Sequence, residues 1–77
     1  MKRYFFDVVG HGQSELDYTG RILQTPERAH ETAELMAFDL AVKREDEAIG
    51  WVVNVSSGEG HKLFSIPVQA SYLAAGR

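Results

Sequence analysis

The chain has 77 residues, which is one small domain, because a chain of this length buries only roughly 60 to 65% of the surface that its unfolded form exposes. It contains no cysteine, so disulfides, thiolate metal sites and cysteine nucleophiles are excluded. The net charge is -3, and residues 26–47 hold seven acidic and three basic side chains, so the acidic charge is concentrated there.

Two classes of partner are disfavoured by this composition. Binding to nucleic acid normally needs a basic stripe, whereas Lys2, Arg3, Arg21 and Lys62 are scattered along the chain. No apolar run approaches the ~20 residues that span a bilayer, and the first ten residues do not resemble a secretory signal. We therefore expect a cytoplasmic protein with no nucleic-acid and no membrane partner.

The chain begins with a pattern that is typical of a strand. Residues 2–9 alternate, with Tyr4, Phe6 and Val8 on one face, and residues 10–14 are expected to break the strand as a glycine-containing loop. Residues 17–20, DYTG, predict a turn in which the aspartate binds its own downstream backbone. A short strand is expected over residues 21–23.

A helix of about twenty residues is predicted from Pro26, with Thr25 as its N-cap and Gly50 as its C-cap. One apolar stripe, which is expected to pack on a sheet, comprises Ala29, Ala33, Met36, Ala37 and Leu40. A second stripe lies on nearly the opposite side of the helix and consists of Leu35, Phe38 and Val42.

After the helix, residues 51–56 and 61–68 alternate on either side of a turn at residues 57–60, which predicts a hairpin. Pro67 cannot donate to a ladder, so the last strand is expected at an edge or to end there. Residues 69–77 form a tail that is expected to dock through Tyr72 and Leu73.

Together these elements predict an α+β fold, in which one long helix packs on one face of a small antiparallel sheet, in the order strand-strand-helix-strand-strand. We expect a single domain over residues 1–77, with its core within 3–68. The predicted core comprises Tyr4, Phe6, Val8, Ala33, Met36, Leu40, Trp51, Val53, Val55, Phe64 and Ile66. The opposite sheet face would carry Phe5, Val9, Val52 and Leu63 around Asp7, Asn54 and Ser65.

Several stretches resemble a family of short alphaproteobacterial proteins that is known only as a domain of unknown function. They are RYFFDV at the start, LDYTGRIL before the helix, ERAHETAELMA inside it and VVNVSSGEGHKLFSIPV at the end. The resemblance covers residues 3–68 and implies no catalytic or binding residue. A second resemblance, over residues 17–40, is to HicB-type antitoxins, and it is one of structural pattern.

No recognisable chemistry emerges from the sequence. His11, His30 and His61 lack the short spacings of metal ligands, and the serines occur in turn and strand contexts that need no catalytic explanation. The two Gly-x-Gly segments do not precede a helix, as a phosphate loop would. We predict no catalytic residue, no metal ligand and no cofactor, so an enzyme is not the favoured interpretation.

The favoured interpretation is an interaction domain that forms a homo-oligomer through its helix, its open sheet face or both, with a protein partner also considered. Leu35, Phe38 and Val42 are the predicted interface residues, because adjacent apolar side chains at helical spacing are typical of helix contacts. Two alternatives remain open. One is a small-molecule or metal site at a subunit boundary, formed by His11, His61 and Asp7, and the other is an antitoxin-like regulator.

Overall fold

The computed structural model describes residues 1–75, so the last two residues of the predicted tail lie outside the described residues. Five strands and two α-helices follow in the order β1 (Lys2–Gly10), β2 (Gln13–Glu15), β3 (Arg21–Leu23), α1 (Pro26–Arg44), β4 (Val52–Ser57), β5 (Lys62–Pro67) and α2 (Ser71–Ala75). A 3₁₀ turn over Glu45–Ala48 follows α1. The predicted α+β fold, with strands on both sides of one long helix, is confirmed.

All strand pairs are antiparallel, and β1 is the centre of the sheet. One edge of β1 pairs with β4 over residues 4–9, and β4 pairs with β5. The other edge is shared by two short strands, because β3 pairs with residues 2–4 and β2 with residues 8–10. Residues 5–7 of β1 therefore have no strand partner on this edge, which is called the outer edge below.

The strand β2 corrects the prediction of a loop over residues 10–14. Gly10 pairs with Gln13, so the chain reverses within the two residues His11 and Gly12 and returns as a strand. Gly12 has φ +73, which a two-residue hairpin turn favours. All three residues of β2 are exposed and polar, so there was no apolar alternation to indicate a strand.

Helix α1 packs against one face of the sheet through a row of small side chains. Ala29, Ala33, Ala37 and Ala41 are spaced four residues apart and all are fully buried. The predicted start is confirmed, because Thr25 Oγ1 accepts a hydrogen bond from the Arg28 amide at 3.1 Å. The predicted end is wrong: α1 ends at Arg44, and Glu45, with φ 51, is the residue at its C-cap.

The core lies between α1 and the sheet, and all the residues predicted for it are buried in it or packed against it. Ala48 and Val68 belong to the core as well, although the sequence did not place them there. The Val68 amide donates to the Trp51 carbonyl at 2.8 Å, so the chain remains bound to the sheet just beyond Pro67. Tyr72 and Leu73 of α2 pack against the core, as predicted for the tail.

Candidate functional site

The three predicted interface residues lie on the side of α1 that faces away from the sheet, and they are called the outer stripe. Leu35 is 70% exposed and Val42 is 41% exposed. Phe38 is half-buried, because its ring meets the ring of Tyr72 in an edge-to-face contact with 5.8 Å between centroids. Helix α2 thus covers the middle of the outer stripe and leaves its two ends accessible.

The side of the sheet that faces away from α1 is called the open face. The loop over residues 16–20 reaches its margin at Phe5 and Asp7, but no described helix or strand covers it. It carries apolar side chains on four strands: Phe5, Val9, Ile22, Val52 and Leu63. Ile22 is 47% exposed and Leu63 is 40% exposed, while the others are half-buried. The open face thus carries five apolar side chains against three on the outer stripe, although Leu35 on the outer stripe is the most exposed of the eight.

A row of three polar residues crosses the open face, as the sequence predicted. Asp7 pairs with Asn54 in register, and Asn54 pairs with Ser65. The Ser65 hydroxyl donates to Asn54 Oδ1 at 2.7 Å, and Asp7 Oδ1 accepts from the Asp17 amide at 2.8 Å. The row is thus partly satisfied within the chain and retains the Asn54 amide donors.

Residues 16–20 form a loop that crosses the unpaired part of the outer edge, and the carboxylate of Asp17 anchors it. The Phe6 amide, on β1, donates to Asp17 Oδ2 at 3.1 Å. The amides of Thr19 and Gly20 donate to Asp17 Oδ1 at 3.1 and 2.9 Å. The predicted aspartate turn is confirmed, and it also supplies an acceptor to an amide that no strand pairs.

These contacts explain why the pKa of the Asp17 carboxyl is lowered. Burial alone would raise the pKa of its carboxyl, but the hydrogen bonds from the amides of Gly20, Phe6 and Thr19 and the charge of Arg21 outweigh burial, so the pKa is lowered. The anchored loop presents Leu16, which is 51% exposed, and Tyr18, which is 86% exposed. Neither side chain stands out as a surface feature in the sequence, because both lie in or beside a predicted turn without apolar periodicity.

A cleft opens on the helix side of this loop, at the outer edge of β1, and is called the edge cleft. Its volume is about 390 Å³, and its apolar lining residues are Phe6, Val8, Leu16 and Met36. Glu15 and Arg21 line its two ends, and Asp17 lies between them in sequence. The sequence gives no sign of this cleft, because one of its walls is the unpredicted strand β2.

The histidines of the alternative hypothesis do not meet within one chain. His11 lies at the β1–β2 turn, 3.2 Å from its Nε2 to the Ile49 carbonyl oxygen. His61 lies at the opposite end of the sheet, where its amide donates to Ser57 Oγ at 3.2 Å. The length of β4, roughly 20 Å, separates this end from His11. Among the described residues no group of three or more His, Asp or Glu side chains is placed to hold a metal ion.

His30 lies on α1, with Nδ1 3.2 Å from Glu34 Oε1 and its ring edge-on to Phe64 at 4.9 Å between centroids. It therefore contributes to the contact between α1 and β5. Within residues 1–75 no helix is long and apolar enough to cross a membrane.

Comparison with known proteins identifies one family. Searches among curated proteins and among solved structures return no match. The model of a domain of unknown function, DUF6894, matches residues 3–69, which include α1 and all five strands except the first residue of β1. The chain therefore belongs to the DUF6894 family.

Proposed function

We propose that this protein is a non-enzymatic interaction domain that self-associates, and that the open face is the main contact between copies. The observation that carries the proposal is the apolar content of the open face, which no described helix or strand covers. Antiparallel sheets with one solvated face usually carry polar side chains there, so five apolar residues around one polar row favour a covering partner.

A second copy of the chain is the partner that fits this face best. Its polar row combines the amide donors of Asn54 with the carboxylate of Asp7 in adjacent strands. A two-fold axis in the plane of the contact, parallel to the strands and between β1 and β4, would set Asn54 of one copy against Asp7 of the other, and the same contact would occur twice. Donors and acceptors are then paired across the contact without any other partner.

The dimensions of the domain favour use of the whole face. Its two largest dimensions are 35 and 26 Å, which limit one face to about 900 Å². A standard interface takes roughly 800 Å² from each partner. A stable dimer would therefore need nearly the whole face, including the polar row.

Extension of the sheet through β5 is disfavoured by the form of its free edge. Lys62 begins the strand, the pairing with β4 is shifted by a bulge near Ser56, and Pro67 at its end lacks an amide hydrogen. Each of these features discourages strand addition at an edge. This supports stacking of faces over pairing of edges.

The outer stripe, whose residues the sequence predicts as the interface, is the second candidate surface. Leu35 and Val42 are exposed, but α2 already contacts Phe38, so a helix partner would find a shorter apolar stripe than the sequence alone predicts. We therefore propose the outer stripe as a secondary contact.

The test is the molar mass of the untagged protein by light scattering over a range of concentrations, with two matched lysine variants. We expect twice the 8.6 kDa chain mass for the wild type and for Leu35→Lys, and the single-chain mass for Val52→Lys. Circular dichroism controls for folding of both variants. If Leu35→Lys dissociates the dimer and Val52→Lys does not, the outer stripe and not the open face is the contact between copies. A wild type that stays at one chain mass up to about 1 mM would contradict self-association.

A further inference from the structure

The edge cleft has the form of a small ligand site. It opens where the outer edge of β1 changes partner from β3 to β2, and its volume of about 390 Å³ falls within the range of small-molecule sites, which is roughly 300 to 1,000 Å³. Its apolar surface comes from Phe6, Val8, Leu16 and Met36. Such a surface binds a small aliphatic group by removing it from water.

Charged side chains of opposite sign stand at the two ends of the cleft. Glu15 pairs with Val8, and Arg21 pairs with Tyr4, so their Cα atoms are separated along β1 by four residues, or about 13 Å. Among the described residues neither Glu15 nor Arg21 forms an ion pair. Both side chains can therefore reach a ligand, although the charge of Arg21 also acts on the Asp17 carboxylate.

Arg21 is placed over the apolar surface of the cleft. Its guanidinium carbon lies 5.9 Å from the centroid of the Phe6 ring, which is within the distance of a cation-π contact. A guanidinium group is suited to a carboxylate, because its donors match the two oxygens in a planar pair. A carboxylate bound there would place its attached carbon chain near Phe6.

The charge balance of the cleft selects against a simple carboxylate. Asp17 lines the same cleft, and with Glu15 it sets two negative charges against the single positive charge of Arg21. A ligand whose only charged group is a carboxylate would be attracted by Arg21 and repelled by Glu15 and Asp17. A ligand that also carries an ammonium group would offset this repulsion at Glu15.

We propose that the edge cleft binds a free α-amino acid with an aliphatic side chain. Its carboxylate pairs with Arg21, its ammonium group with Glu15, and its side chain rests on Phe6, Val8 and Met36. The cleft lies on the helix side of the sheet, so binding does not require the open face and does not depend on self-association.

The test is a titration of the ¹⁵N-labelled protein, followed by NMR, with L-leucine and its two truncated analogues. The analogue 4-methylpentanoate lacks the ammonium group, and 3-methylbutylamine lacks the carboxylate. We expect leucine to give saturable shifts at the amides of Phe6, Gly20 and Arg21, and to bind roughly tenfold tighter than either analogue.

Two charge variants and one control complete the experiment. Arg21→Gln should weaken leucine binding roughly tenfold and Glu15→Gln should weaken it to a similar extent, whereas Arg28→Gln, on the exposed surface of α1, should leave it unchanged. The amide spectrum of each variant reports its folding. The proposal is overturned by an absence of saturable shifts with leucine, by shifts that map to the open face, or by equal binding of leucine and 4-methylpentanoate.

Discussion

At the scale of single residues, Asp17 supplies the acceptor that a strand would otherwise supply to the outer edge of β1. Its two carboxylate oxygens accept three backbone amides, one from β1 and two from its own loop. Hydrogen bonds to a charged acceptor stabilise more than neutral ones, and a donor left without a partner is costly. The stretch LDYTGR is therefore explained by the folding of this edge, without any catalytic role.

We predict that Asp17→Asn lowers the free energy of unfolding by roughly 1–3 kcal/mol at neutral pH, because the amide cannot accept all three donors. The pKa of the Asp17 carboxyl is lowered below its ordinary value of 3.8 in the folded protein, so this stabilisation is complete above that value and is lost as the pH falls below it. Urea unfolding across the acid range should therefore show the two proteins converging below pH 3.8. A difference that does not change with pH would contradict this account.

Asp39→Asn is the matched control for that substitution. Asp39 forms an exposed ion pair with Lys43 at 3.1 Å, within one turn of α1. Pairs of this kind contribute at most about 0.5 kcal/mol. We expect little change in the free energy of unfolding.

Gly10 is a second position that determines stability, because there is no room for a Cβ atom there. A Cβ there would lie 2.7 Å from Trp51 Cε2 and 2.8 Å from Trp51 Nε1, so the indole ring rests on the glycine backbone. The indole Nε1 is buried with no hydrogen-bond partner among the described residues. The close approach of the ring therefore requires glycine for its lack of a side chain.

We predict that Gly10→Ala costs about 1–3 kcal/mol in the free energy of unfolding and changes the fluorescence of Trp51, the only tryptophan. Gly12→Ala is the control, because Gly12 has φ +73 but a Cβ added to it would meet no atom within 4 Å. Its cost of about 1 kcal/mol would come from the backbone alone, with fluorescence unchanged. Equal losses in the two variants, with the fluorescence of Trp51 unchanged, would contradict the close contact between the indole ring and Gly10.

At the scale of the elements, the sequence predicted those whose side chains alternate between core and solvent. Strands β1, β4 and β5 alternate clearly, and helix α1 repeats alanine at helical spacing, so all four were predicted with the correct face inward. Strand β2 carries none, because all of its residues are exposed, and the edge cleft that depends on it was missed for that reason. The sequence predicted that the tail docks through Tyr72, but it could not predict that Phe38 is the contact, because the two residues are distant in sequence.

The row of alanines on α1 leads to a prediction for the whole element. Ala37 is fully buried against the sheet, so Ala37→Leu must push the helix outward or strain its rotamer, at a cost of roughly 1–3 kcal/mol. The control is Leu35→Ala on the outer stripe, which should change stability by no more than about 0.5 kcal/mol. Urea unfolding measures both. An Ala37→Leu variant as stable as the wild type would show that the helix is not in close contact with the sheet there.

At the scale of the whole molecule, the domain has little core for its surface. The accessible surface of 5069 Å² is slightly larger than the roughly 4,700 Å² expected of a folded monomer of 8.6 kDa. There is no disulfide to compensate, since the chain has no cysteine. Burial of the open face between two copies would add to the stability of so small a domain.

Self-association therefore predicts a thermal midpoint that depends on protein concentration. Because dimerisation stabilises the folded state by mass action, a tenfold increase in concentration should raise the midpoint by roughly 3–5 °C for a chain of this size. The midpoint of Val52→Lys, in which the charge lies on the open face, should not depend on concentration. Calorimetry at two concentrations measures both. The open face is assembled from four separate strands, so only folded chains can form this contact. A wild-type midpoint that does not change with concentration, in a range where light scattering reports a dimer, would therefore contradict it.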